Sequence, residues 1–290
     1  MTAVGPYATA TAFRRALEDR LTAQASRQGL DLARLRRSVA FERLLSRLFA
    51  PPNPPWLLKG GYSIELRLRT GARSTKDLDL ALTDSNIIMT SAEADWERLR
   101  DRLQAAADTT IDWFSFRIGQ MTEELVGAPL KGARYPVECR LDGRRFVNFH
   151  LDVSAGDYAP KEPEWVEGHS LLDFAGIPPA RVALVPSAQQ FAEKVHAYTR
   201  PRKHGDNSRV RDLVDMALLI RAGLAHRQAV SEAIQQTFTT YGTHPIPESL
   251  PPPPDAWQAA YDEIVKSTNL SLPDLGGAFV LLDEYWKGLS

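Results

Sequence analysis

Apolar residues at helical spacing open the chain. Phe13, Leu17, Leu21 and Ala25 fall on one face of a helix that Gly29 ends. Leu35, Val39, Leu45 and Leu48 repeat the pattern until the run PPNPP at 51–55 stops it. Both stripes predict core helices, with Arg14, Arg15, Arg36 and Arg37 on solvated faces. Trp56-Leu57-Leu58 reads as a short buried strand or lead-in, and a helix is predicted over 92–109 with Trp96, Leu99 and Leu103 inward. The period then changes to two, which predicts strands over 111–120, 134–141 and 146–154, separated by turns such as Leu141-Asp142-Gly143. In the third of these, Val147, Phe149, Leu151 and Val153 alternate with Asn148, His150 and Asp152.

Pro-rich loops at 160–163 and 178–179 and a strand over 181–185 lead into a helical remainder. Its first helix is predicted to start at Ser187 as N-cap, with Gln190 as the capping-box partner and Phe191, Val195 and Tyr198 as its apolar stripe. Leu213, Met216, Ala217 and Ile220 mark the next helix, followed by helices over 226–240 and 273–289 with a proline-rich connection at 244–254 between them. The expected class is α+β, with N-terminal helices and a sheet lobe over 1–180 and a mostly helical lobe over 181–290.

Composition narrows the partners. With 43% hydrophobic and 24% charged residues the chain reads as an ordinary globular protein rather than a disordered one. A net charge of -1 excludes a protein that is basic overall but not one with a local basic face, which is all that nucleic acid needs. The single cysteine, Cys139, excludes an internal disulfide framework and a Cys-based zinc site, and is expected as a small buried hydrophobe. No stretch approaches the roughly 18 apolar residues of a membrane span, so no membrane role is expected and the cytoplasm is the default location.

The chemistry concentrates in the stretch 57–82, LLKGGYSIELRLRTGARSTKDLDLAL. On a strand, Leu78, Leu80 and Leu82 share one face and Asp77 and Asp79 the other, their Cα atoms ~6 to 7 Å apart. Two carboxylates so placed can reach one divalent ion, and magnesium favours such oxygens together with substrate phosphates. A turn at Gly60-Gly61 allows close approach of a phosphate to the backbone at the start of a helix, and Lys59 beside it can serve as a point charge on a triphosphate. If the strand over 146–154 neighbours this one, Asp152 becomes a third carboxylate; His150 on the same face reads as a hydrogen-bonding residue. Ser74 and Thr75 in the preceding loop read as capping or turn residues.

The order Gly-Gly, helix, loop and Asp-x-Asp on a strand resembles the nucleotidyltransferase fold of the polymerase-beta type, with its mixed central sheet. More narrowly, Lys59-Gly60-Gly61 followed by Ser74-Thr75-Lys76-Asp77-Leu78-Asp79-Leu80 resembles the AbiEii/AbiGii toxin family, which includes the mycobacterial MenT-type toxins. Lys194 on one helix and Arg209-Val210-Arg211-Asp212-Leu213-Val214-Asp215 opening the next resemble that family's second signature. Many relatives in the wider superfamily carry Gly-Ser where this chain has Gly60-Gly61, so a phosphate-contacting hydroxyl is missing there, and Ser63 is the candidate replacement.

The resemblance implies a nucleotidyltransferase that uses Mg2+ or Mn2+ and a nucleoside triphosphate (NTP). Asp77, Asp79 and Asp152 would serve the metal, Lys194 would bind nucleotide, and Asp212 would be needed for activity. It further implies an RNA acceptor, with the tRNA 3′ end as the sharpest candidate, an outcome of blocked translation, and a cognate antitoxin protein as partner. Arg200, Arg202, Lys203, Arg209 and Arg211 cluster between the two signature helices and are candidates for RNA contact. Two rivals stand beside this reading. One is a nucleotidyltransferase acting on a small molecule such as an antibiotic, and the other is a nucleotide- or protein-binding module with a degenerate site.

Overall fold

Local signals set most of the element ends. In the computed structural model, which describes residues 6–69, 72–84, 93–125, 131–156, 163–201, 207–266, 268 and 271–289, helix α1 (Ala10–Gln28) starts on the Thr9 side chain, which accepts from the Ala12 N–H, and ends at Gly29 in the left-handed conformation. Helix α2 (Leu32–Leu48) is capped by Asp31, and the prolines at 51–55 separate it from strand β1 (Trp56–Lys59). Helix α3 (Gly60–Leu68), strand β2 (Asp77–Leu82) and helix α4 (Glu93–Ala107) follow. Strands β3 (Phe114–Ile118), β4 (Glu123–Leu125), β5 (Gly132–Leu141) and β6 (Arg144–Ser154) come next. The β5–β6 hairpin turns on Asp142 and Gly143, both at positive φ, as the Asp-Gly pair predicts.

Strands β7 (Glu164–Glu167) and β8 (Arg181–Leu184) complete an eight-stranded sheet of order β3-β5-β6-β2-β1-β8-β7, with β4 on β5. It is mixed: β2 pairs with β6 and β1 with β8 in parallel, while the β3–β5, β5–β6 and β7–β8 pairs are antiparallel. The sheet, with α1, α2 and α4, makes up one compact unit formed by Met1–Leu58, Thr75–Asp157 and Glu164–Leu184. Its apolar face is covered by helices, as in the edge-to-face contact of Phe41 with Phe149 at 4.8 Å and the hydrogen bond from Tyr135 Oη to the Trp96 carbonyl. Cys139 is fully buried on this face, and burial pushes its thiol up. A buried ion pair sits among these helices: Arg47 donates twice to Asp112, at 2.8 and 3.1 Å, and also to the carbonyls of Thr109 and Phe114.

The second unit contains Lys59–Ser74 and Val185–Ser290. Around α3 it assembles α5 (Ser187–Thr199), α6 (Val210–Arg221), α7 (Arg227–Tyr241), α8 (Gln258–Lys266) and α9 (Leu275–Lys287). Its core includes Phe191, Val195, Leu213, Ala217, Phe238, Leu282 and Trp286, joined by Ile64 and Ala72. Those last two residues explain why 59–74 belongs here, although the sequence placed everything before 181 in the sheet lobe. One local expectation differs as well. The Ser187 hydroxyl does not cap α5 but donates to the Leu224 carbonyl, and no side chain caps that helix. Gln190 turns instead to α3.

Candidate functional site

The carboxylates are set by sheet register. Asp77 lies opposite His150 and Asp79 opposite Asp152 in the parallel β2–β6 pair, so all four side chains share the polar face of the sheet. Thr75 donates to the Asp77 carbonyl at 3.3 Å, consistent with a turn role just before β2. His150 Nδ1 lies 3.3 Å from Asp77 Oδ1, the hydrogen-bonding part expected of it. The adjacency on which the reading of Asp152 depended is therefore present. Its charge, however, is already engaged: Arg134, opposite it on β5, donates from Nε at 2.8 Å and from Nη2 at 2.7 Å, one bond to each carboxylate oxygen.

This polar face also forms one wall of a cleft of about 750 Å³. Asp77 stands at it together with Lys76, Arg117, Arg134, Asn148 and His150. The size lies within the usual range for ligand sites, ~300–1,000 Å³. Among the described residues no group of three His, Cys, Asp or Glu side chains forms a metal cage. Mg2+ characteristically takes one or two protein carboxylates and completes its shell with phosphate and water. Asp77 and Asp79, with partly exposed side chains on one strand face, fit such an ion.

In the helical unit the residues of the Gly60-Gly61 turn and those of the second signature make two bonded sets. Gly60 adopts φ +66°, a conformation that favours glycine, and α3 begins there with no side-chain cap, so its first N–H groups lack a capping side chain. Gly61 follows, buried. The turn is fixed from behind: the Gln190 side chain donates to the Gly60 carbonyl at 2.5 Å, and the fully buried Ser63 hydroxyl sits 2.9 Å from both that carbonyl and the Gln190 side-chain oxygen. Ser63 thus shapes the turn in this structure. Lys59 lies before the turn, with Glu193 at 3.9 Å.

Lys194 donates to Asp215 at 2.7 Å and to Asp212 at 3.0 Å, and Arg73 donates to both oxygens of Asp215 at 2.7 and 2.8 Å. Burial alone would push Lys194 down, but the charges of Asp215 and Asp212 together outweigh it and hold the ammonium above its ordinary value. Burial likewise pushes Asp215 up, and the charges and hydrogen bonds of Arg73 and Lys194 reverse that, so its carboxyl sits below the usual range. Asp215 is completely inaccessible and is the hub of this network. The family resemblance singles out Asp212; the position of Asp215 three residues on, within the apolar run Leu213 to Leu219, is the sequence signal for its burial. Arg200, Arg209 and Arg211 are exposed, Arg209 with Asp212 at 3.5 Å. Arg202 and Lys203 lie outside the described residues.

Comparison with known proteins assigns the family. Residues 43–286 match the model described as nucleotidyl transferase AbiEii toxin, type IV toxin–antitoxin system. Among solved structures the chain is similar to MenT4, a nucleotidyltransferase toxin from Mycobacterium tuberculosis H37Rv, with a TM-score of 0.53 and 17% identity over 95% of this chain and 97% of that one. At that identity the likeness speaks for the fold: an α+β nucleotidyltransferase-toxin architecture with a mixed central sheet. No curated protein matches the chain. With 43–286 of its 290 residues covered, the chain belongs to the AbiEii nucleotidyltransferase toxin family of type IV toxin–antitoxin systems.

Proposed function

We propose that this toxin transfers a nucleotide from an NTP to an RNA acceptor, the tRNA 3′ end being the sharpest candidate, and so blocks translation until its antitoxin counters it. The observation that carries the reading is the pair Asp77 and Asp79 on the polar face of β2, in register with His150 and Asp152. A divalent ion, Mg2+ or Mn2+, held by Asp77 and Asp79 would supply positive charge to the phosphates. In the helical unit the Gly60-Gly61 turn and α3 N-terminus, with Lys59, would bind phosphate oxygens, and Lys194 would be a further cation for the nucleotide. Asp212 and Asp215 keep that ammonium charged and oriented. An acceptor hydroxyl attacks the α-phosphorus, and pyrophosphate leaves. The exposed Arg200, Arg209 and Arg211 would lend charge to RNA binding.

The test is incorporation of each of the four radiolabelled NTPs into purified total tRNA with Mg2+, comparing wild type with Asp79→Ala. Label from one or more NTPs with wild type and none with the variant supports the reading and names the nucleotide. No label from any NTP, with folded protein, overturns it in favour of a small-molecule acceptor or a non-enzymatic module.

A further inference from the structure

The cleft on the polar face of the sheet is not accounted for by the metal and triphosphate roles. Lys76 and Arg117, both exposed, make no ion pair among the described residues, and Glu138, opposite Arg117, is instead bonded by Arg140 at 2.6 Å. Arg134 is fixed differently. Asp152 takes its Nε and one Nη2 bond, Glu123 accepts from Nη1 at 3.2 Å, and the guanidinium fork still has donors left to offer. A carboxylate that grips one edge of an arginine orients its remaining edge, and a planar fork so held suits a phosphate.

The spacing of these cations matters. Arg134 is four residues along β5 from Glu138, the partner of Arg117, which places the two arginines ~14 Å apart at their Cα atoms. A triphosphate calls for cations that converge on one point. Charges spread along a cleft match successive phosphates of a strand. Asn148 and His150, exposed on the same face, add an amide and a flat ring of the kind that read and stack on unpaired bases. Asp77 stands at the same cleft, so a strand lying in it brings its end to the carboxylates.

We propose that this cleft holds the single-stranded end of the RNA acceptor by its backbone, with Lys76, Arg117 and Arg134 contacting phosphates and Asp152 acting as the positioning residue for Arg134. The proposal rests on the nucleotidyl-transfer reading and adds where the acceptor lies. Asp152 then serves the site through Arg134, not as a metal ligand.

The experiment measures binding of a fluorescently labelled, short single-stranded RNA to the full-length protein by anisotropy, over a range of KCl concentrations with Mg2+ and no NTP. It compares wild type, the double variant Lys76→Ala/Arg117→Ala, Asp152→Asn and Asp79→Asn. The double variant changes only exposed side chains, so it should fold as wild type does. It should bind RNA at least tenfold more weakly and lose ~1.4 from the slope of log affinity against log salt, at ~0.7 per phosphate contact in a single strand. Asp152→Asn should weaken RNA binding severalfold and lower the slope, while its Mn2+ affinity, measured by calorimetry with a non-hydrolysable NTP analogue present, stays within about threefold of wild type; Asp79→Asn should lose Mn2+ and keep RNA.

In the transfer assay the double variant should raise KM for RNA and leave KM for NTP alone. Unchanged RNA affinity and salt slope in the double variant overturn the proposal. So does a rise confined to KM for NTP, which would make the cleft a nucleotide pocket, and an Asp152→Asn loss of Mn2+ as large as that of Asp79→Asn would remove the role given to Asp152. If wild type transfers no label but the cleft variants still lose RNA, the transfer reading fails and the RNA site stands.

Discussion

Replacing Asp215 by Asn is the most direct probe of the bonded set around Lys194. The carboxylate is completely buried and receives three charge-assisted hydrogen bonds at 2.7, 2.7 and 2.8 Å from Arg73 and Lys194. Asparagine keeps the shape and one acceptor oxygen but removes the negative charge and turns the other position into a donor aimed at a cation. Hydrogen bonds to charged groups contribute ~1.5–3 kcal/mol each, but part of that offsets the desolvation of Asp215 itself. Removing one partner of a buried set leaves ~3–5 kcal/mol of net destabilisation. With a urea m-value of ~2–3 kcal/mol per M, the midpoint should fall by roughly 1–2.5 M. Asp212→Asn supplies the comparison. Asp212 is more exposed than Asp215 and makes one bond to Lys194, at 3.0 Å, so its loss should cost ~1–2 kcal/mol of stability, less than that of Asp215, while still lowering transfer activity. Urea unfolding followed by circular dichroism at pH 7 measures both. A midpoint for Asp215→Asn within error of that for Asp212→Asn would refute the assignment of Asp215 as the hub.

Three other outcomes follow from particular contacts. His196 is pushed down to about 4, first by burial and then by His244 and Arg200, while the unfolded chain keeps the ordinary value of 6.5. Below pH 6.5 the unfolded state takes up the proton first, so stability should fall by about 2–3 kcal/mol between pH 7 and 4.5, and unfolding midpoints of wild type and His196→Phe across that window check it. His244, also lowered, acts in the same direction. Gly132→Ala places a Cβ 2.7 Å from the Val153 carbonyl oxygen, a backbone atom of the paired strand, and should lower stability by ~1–3 kcal/mol in a thermal melt. Arg47→Met leaves the buried Asp112 without the partner at 2.8 Å, and should cost ~3–5 kcal/mol by the same measurement, partly recovered by adding Asp112→Leu.

The elements with a long period were legible in the sequence because local physics decides them. The stripe Phe13, Leu17 and Leu21 is buried as read, and Gly29 ends α1 in the left-handed form that only a glycine adopts easily. The Asp-Gly turn and the alternation of β6 were equally readable. Short strands were not. The strand β4, three residues long, and β7, which follows the Pro-rich loop, owe their conformation to the neighbours they pair with and show no periodicity. The carboxylates of β2 could be read from alternation alone, but the pairing of Asp79 with Asp152 depends on a register between strands far apart in the chain. The arginines show the limit best. Arg37 was assigned to a solvated face and lines the cleft, Arg47 is buried on Asp112, and Arg134 is committed to Asp152. A cation's partner is chosen in three dimensions, and composition cannot name it.

Segment 59–74 lies between β1 and β2 in the chain yet contributes Ile64 and Ala72 to the helical core. A gene cut after Leu184 would therefore yield two incomplete pieces. The first would carry α3 with its apolar residues stripped of Phe191, Leu213 and their neighbours. The second would lack the turn that Gln190 braces and the arginine that satisfies Asp215. Neither half is a portable module. Insertions, fusions and evolutionary shuffling at that point should yield inactive protein, whereas the two fragments expressed together have a reason to find each other.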